Sequence, residues 1–107
     1  MVNIKDLEVA DSITQYLNVV RKQYNIEKVF LFGSYVSGKA TKESDIDLAI
    51  ISSSFTGNRF IDNVNLGKLT WKIDTRIEPV AFKPEDFNLN NLIASEIIKT
   101  GLEFPLN

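Results

Sequence analysis

Neither cysteine nor histidine occurs among the 107 residues of this chain. Their absence removes disulfides, thiolate nucleophiles, Cys/His zinc sites and every catalytic arrangement built on imidazole. Any metal ion has only oxygen ligands to bind, which favours magnesium or manganese. A general base has to be a carboxylate or, failing that, a lysine. No apolar run approaches the roughly 20 residues that span a bilayer. The N-terminus carries no signal-peptide pattern, so no membrane association is expected and the expected setting is the cytoplasm. A net charge of −2 leaves little with which to hold long nucleic acid, a task that needs a basic face.

What remains is the composition of an ordinary globular domain, 44% hydrophobic and 24% charged, enough for one core but not for a separate substrate domain. One domain spanning residues 1–107 is expected. Ser12 and Gln15 make a capping-box pattern, and Ile13, Tyr16, Leu17, Val20 and Tyr24 recur at helical spacing, predicting a helix over 12–24 that stops at Asn25. Residues 1–10 have a mixed pattern and receive no assignment.

Val29 to Phe32 is a short apolar, β-favouring run that ends at glycine, as a buried strand does. A helical turn is expected over 34–38. Ile46, Leu48 and Ile50 then alternate with Asp45, Asp47 and Ala49, predicting a second strand with one apolar face. Ser52 to Gly57 reads as a loop. Phe60, Ile61, Val64 and Trp71 suggest a helix over 58–72, interrupted by Gly67. Thr75 to Phe82 reads as a third strand, with Pro79 placing it at an edge or a bulge. Pro84-Glu85-Asp86 turns the chain into a last helix, with Leu89, Leu92, Ile93 and Ile97 expected inward and Gly101 at its C-cap. The order α-β-α-β-α-β-α implies an α/β (α+β) fold, a small mixed sheet packed with helices.

Two features carry chemistry. Asp45 and Asp47, two apart on a strand, project from one face about 6.6–7 Å apart. Such anions repel by on the order of 2 kcal/mol at an effective dielectric of 20, and a divalent cation reverses that sign. Asp-x-Asp by itself also fits a strand with a solvated polar face. Gly33-Ser34 follows the first strand, where glycine lets backbone approach a ligand and the serine hydroxyl and following amides can donate to phosphate. A plain strand-to-helix turn with Ser34 as N-cap fits that dipeptide too. Gly33-x4-Gly38-Lys39 matches a P-loop through its lysine, but Ala40 stands where a magnesium-binding hydroxyl is needed. Lys39 and Lys42 are candidate phosphate neighbours.

Gly33-Ser34, ten intervening residues and Asp45-Ile46-Asp47 together resemble the signature of the DNA polymerase beta-type nucleotidyltransferase superfamily. The likeness is greatest to its smallest branch, the minimal nucleotidyltransferases. It extends through Ser44-Asp45-Ile46-Asp47-Leu48 and Ile77-Glu78-Pro79-Val80-Ala81-Phe82 to Lys99-Thr100-Gly101. The resemblance implies a third carboxylate from a later strand; Glu78 is the matching position and Asp74 the alternate. It further implies transfer of a nucleoside monophosphate from a triphosphate, ATP first, to an acceptor hydroxyl. Asp45, Asp47 and Glu78 would hold two magnesium ions, with manganese as a substitute, and help deprotonate the acceptor. Gly33 and Ser34 would bind the outer phosphates. Many relatives carry arginine where this chain has Ser37, so triphosphate binding is expected to be weaker here or to draw on Lys39 or Lys42.

No part of the chain is left over to grip an acceptor. By the same resemblance, the expected partner is an all-helical HEPN-type toxin, modified with AMP on a tyrosine, which makes this chain an antitoxin. An alternative is a noncatalytic nucleotide-binding module that blocks a helical partner through Tyr35, Phe55 or Phe60. A lesser alternative is antibiotic modification with a second subunit. Homo- and hetero-oligomers are both compatible with these readings.

Overall fold

Strand β1 (Ile26–Phe32) and strand β2 (Ile46–Ser52) form the antiparallel centre of a mixed sheet, and each draws in one further strand. A computed structural model describes residues 9–41 and 43–106. Strand β3 (Ile77–Phe82) lies parallel to β2, and the two-residue strand β4 (Leu102–Glu103) lies antiparallel to β1, giving the order β3-β2-β1-β4. The parallel pair requires a crossover, supplied by helix α3 (Arg59–Lys68). Helix α1 (Ala10–Val20), the single turn α2 (Ser34–Ser37) and helix α4 (Leu92–Thr100) complete the fold. Among the described residues, no helix is long and apolar enough to cross a membrane.

The sheet separates two apolar layers. On one side Val29, Leu31, Ile46, Leu48, Ile50, Ile77 and Ala81 meet Ile13, Tyr16, Leu17 and Val20 of α1 and Leu66 of α3. On the other, Ala49, Ile51 and Phe82 meet Ala94 and Ile97 of α4, with Phe30, Phe32, Val80 and Phe87 partly covered. β2 is therefore buried on both faces, where the alternation of its sequence predicted one. Small Ala49 occupies the second face and lets α4 lie close.

Helix α1 follows its predicted periodicity but begins two residues earlier, at Ala10, with Val9 as an N-cap that makes no side-chain hydrogen bond. Ser12 is inside the helix, and its hydroxyl serves Asp74 instead of capping. The last predicted turn, 21–24, is an irregular turn closed by Tyr24 N–H to the Val20 carbonyl. Apart from Val9 and Ala10, the unassigned segment 1–10 falls outside the described residues.

Helix α3 stops at Lys68, short of the expected 72, and in α4 Ile97 faces inward as expected, but most of the other apolar side chains of these segments do not. Phe60 is 66% exposed, Trp71 71% and Leu92 87%; Ile61, Val64, Leu89 and Ile93 are exposed as well. The buried positions of α3 are Asp62 and Leu66, and those of α4 are Ala94, Ser95 and Ile97. Polar satisfaction sets the rotation of α3. β3 is an edge strand, and its Ala81 N–H donates to Asn63 Oδ1 on α3 at 2.8 Å. Asp62, fully covered, accepts from Thr56 N–H, Thr56 Oγ1 and Gly57 N–H. A helix that brings 62 and 63 to the loop and the edge has to turn 60, 61 and 64 outward. In α4 the N-cap Asn91 accepts from Ile93 and Ala94 N–H, so the helix begins only at Leu92, with Leu92 and Ile93 exposed and Ala94 and Ser95 inward. Phe55 is also buried, its ring centroid 5.1 Å from that of Tyr24 in a tilted pair, and Tyr35 is half-buried, so of the three aromatics expected as a contact surface only Phe60 is open.

Candidate active site

The strand register places the predicted carboxylates. Asp47 is the Cα partner of Phe32 on β1 and of Glu78 on β3. Neighbouring strands lie about 4.8 Å apart, so Asp47 and Glu78 are adjacent on one face. By alternation it is the face of Ala49, Ile51, Val80 and Phe82, the α4 side. Asp45 immediately precedes β2 and is exposed, Glu78 is exposed, and Asp47 is half-buried. Burial raises the Asp47 carboxyl above the ordinary carboxylate range, and the negative charges of Glu78 and then Asp45 push it in the same direction. The three side chains thus share one electrostatic neighbourhood.

Gly33 closes this row at the end of β1. Its φ of +78° and ψ of −143° lie in a region that only glycine adopts readily. A Cβ there would sit 2.2 Å from Asp47 Oδ2. The turn is thus packed directly on the carboxylate. Gly33 is exposed and serves as N-cap of α2, so the first amides of that turn have no acceptor within it. Ser34 follows, half-exposed, and its hydroxyl has no partner among the described residues. Gly38 ends α2 in the left-handed conformation, φ +82°. The helical turn thus lies inside the Gly-x4-Gly stretch, where a P-loop would begin its helix after it. Lys39 is exposed beyond that end. Lys42 lies outside the described residues.

Asp74, the alternate third carboxylate, is committed elsewhere. It pairs with Arg76 at 2.8 Å and also accepts from the Arg76 Nε and main-chain N–H. The Arg76 guanidinium is the main cause that brings its carboxyl down to about 2, with burial opposing and Ser12 assisting. Arg76 also donates to the Tyr35 hydroxyl at 3.4 Å. The sequence carried no signal for the contact of Arg76 with α2, which depends on the antiparallel turn-back of the sheet.

Three carboxylates beside a glycine turn are a hard-oxygen donor set suited to a divalent cation of the magnesium or manganese kind. Among the described residues, no three acidic side chains already converge at metal-holding spacing. A cation would supply the positive charge that lets them close. Gly33 leaves the room that Asp47 Oδ2 occupies, which a side chain there would fill. The residues present fit such an ion. Two cavities occur in other places. One of about 240 Å³ lies between α1 and the C-terminal tail, the other of about 230 Å³ beside Arg59, Asp62 and Lys83; none of the three carboxylates lines either. Asp45 and Glu78 are exposed to an incoming ligand, and Asp47 is half-buried between them.

The sequence profile of the family "Polymerase beta, Nucleotidyltransferase" matches residues 13–103, a span that contains every element from α1 to β4 except the first turn of α1. The chain belongs to the polymerase beta nucleotidyltransferase family. Two proteins of Methanocaldococcus jannaschii are similar over shorter stretches. "Putative protein adenylyltransferase MJ0604" is 43% identical over 42 residues, 37% of this chain and 42% of that protein. "Putative protein adenylyltransferase MJ1379" is 33% identical over 43 residues, 40% of this chain and 43% of that protein. The matched stretch thus spans less than half the length of either relative. The fold of this nucleotidyltransferase domain is also that of a crystal structure of "a putative nucleotidyltransferase" from Sulfolobus solfataricus. The TM-score is 0.65 at 17% identity, over 88% of this chain and 77% of that one.

Proposed function

We propose that the chain transfers AMP from ATP to a hydroxyl group of a partner protein, with release of pyrophosphate. The observation that carries this is the pairing of Asp47 with Glu78 on one face, directly beside the glycine turn at Gly33. Family membership and the names of the two archaeal relatives support the same reaction class.

In this reaction the acceptor oxygen bonds to the α-phosphorus as the bond from that phosphorus to the pyrophosphate oxygen breaks. The acceptor proton passes to a carboxylate of the row, and Glu78 is exposed where an incoming hydroxyl can reach it. Magnesium ions, held by Asp45, Asp47 and Glu78, would neutralise charge on the phosphoryl oxygens when bound. The Ser34 hydroxyl and the first amides of α2 orient the outer phosphates, and Lys39 and Lys42 remain candidate counter-charges. Holding acceptor and phosphorus in line is the remaining task, and it is one of positioning.

Asp45 and Glu78 are exposed, so the acceptor has to bring a surface that covers them. An all-helical HEPN-type toxin presenting a tyrosine, with this chain as its antitoxin in the cytoplasm, meets that requirement. The test is incubation with such a partner, magnesium and α-labelled ATP, with unlabelled GTP, CTP and UTP as competitors. Label is expected on the partner tyrosine and is expected to vanish with Asp45→Asn or Asp47→Asn. Full neutralisation of the partner by those same variants, with no label, would replace the transferase with a sterically blocking module.

A further inference from the structure

The Gly33-Ser34 turn and the carboxylate row belong to different elements, joined in sequence by the connection between α2 and β2. A triphosphate bridging them needs their separation held constant, and α2, a helix of four residues, cannot supply that rigidity alone. One side chain spans the gap. Arg76 lies just before β3, and its carbonyl accepts the Ile46 N–H at 2.8 Å, the contact that seats the residue between Asp45 and Asp47. Its guanidinium reaches the Tyr35 hydroxyl, and that hydroxyl also lies 3.5 Å from the Thr41 carbonyl. Thr41 N–H in turn donates to Ser44 Oγ, next to Asp45. Asp74 fixes the guanidinium plane through Nε at 3.1 Å and a terminal nitrogen at 2.8 Å.

We propose that Arg76 is a positioning residue for nucleotidyl transfer, a brace that sets the phosphate turn against Asp45 and Asp47 through the hydroxyl of Tyr35. The brace acts by shape. Its guanidinium is paired with Asp74 at 2.8 Å. Only a planar fork can satisfy Asp74 on one edge and still extend a nitrogen to Tyr35, so lysine cannot substitute. Tyr35 gains a corresponding role. Its ring packs partly against the core while its hydroxyl ties α2 to the connection and to Arg76.

This inference rests on the triphosphate-binding role of the Gly33-Ser34 turn, so its test has one arm that needs no nucleotide. Hydrogen exchange is measured amide by amide in the parent chain, Arg76→Gln, Arg76→Lys and Tyr35→Phe. All three variants are expected to speed exchange of the 35–39 amides at least 10-fold while leaving α1 and α4 unchanged. Unaltered exchange over 35–39 in folded variants would overturn the brace, whether or not nucleotide binds. In the second arm, the KM for ATP with magnesium is expected to rise about 10-fold in Arg76→Gln and Arg76→Lys and less in Tyr35→Phe. The double variant Tyr35→Phe/Arg76→Gln is expected to match Arg76→Gln, because one link is already cut. Additive losses, or rescue by lysine, would mean that Arg76 touches phosphate directly and is not a brace. Failure of the parent chain to bind ATP at all, with the exchange result intact, would remove the nucleotide reading and leave the brace standing.

Discussion

Asp47 Oδ2 occupies the space where a side chain on Gly33 would start, 2.2 Å from the position of the missing Cβ. The glycine and the aspartate are therefore one structural unit, contributed by the end of β1 and the start of β2. Gly33→Ala adds a methyl group that displaces the carboxylate and also forces a backbone conformation with φ of +78° on a residue with a Cβ. The expected cost is about 1–3 kcal/mol of stability, together with loss of most transfer activity. Thermal melting and the labelling assay check the two effects separately.

Asp47 and Glu78 oppose each other at neutral pH, and the sign of that opposition is testable. A carboxyl raised above its unfolded value contributes stability below the unfolded value, and that contribution is lost as pH rises through the folded one. Glu78→Gln relieves the repulsion, so it is expected to raise stability by up to about 1 kcal/mol while reducing transfer by roughly 100-fold.

Cation binding should show the same electrostatics from the other direction. Magnesium or manganese in excess over its dissociation constant is expected to raise the melting temperature of the parent chain. The rise should disappear in Asp47→Asn and shrink as the carboxylates protonate. An equal rise in that variant would place the ion away from this row.

Asp74 carries the opposite sign. Its folded value, about 2, lies below the unfolded value of about 3.9, so its stabilisation is complete above that value and is lost as pH falls towards 2. Asp74→Asn is expected to be less stable than the parent at pH 7, by about 1–2 kcal/mol. The gap between their melting temperatures should narrow between pH 4 and pH 2.

The unexpected faces of α3 and α4 make a further pair of outcomes. Phe60→Ser and Leu92→Ser remove exposed side chains and are expected to change stability by less than about 0.5 kcal/mol. Leu66→Ala, at a fully buried position of α3, is expected to cost about 2–5 kcal/mol. Urea denaturation of the three variants checks the assignment.

Strand β1, the turn at Gly33 and strand β2 were legible because their signals are local. An apolar β-favouring run, a glycine at a bend and carboxylates two apart each announce themselves within a few residues. Helix α1 was legible for the same reason, through apolar residues at helical spacing. The faces of α3 and α4 were not, since Phe60, Ile61, Val64, Leu92 and Ile93 are apolar and yet exposed. What overrode hydrophobicity was the demand of the β3 edge for an acceptor at Asn63, of the Thr56–Gly57 loop for Asp62 and of the α4 start for Asn91. Two-residue β4 gave no detectable pattern at all.

Primary sequence sufficed for the chemistry at hand: oxygen ligands only, two aspartates on one strand face, a flexible glycine ahead of them and a strand order compatible with an α/β domain. Those follow from side-chain identity and from the two-residue repeat of extended backbone. Resemblance had favoured Glu78 over Asp74, but the physical reason that Glu78 stands beside Asp47 is tertiary: the parallel register of β2 with β3, with Asp74 engaged by Arg76. Register is a relation between strands some thirty residues apart, settled by which faces can be buried together, and no short stretch of sequence contains it.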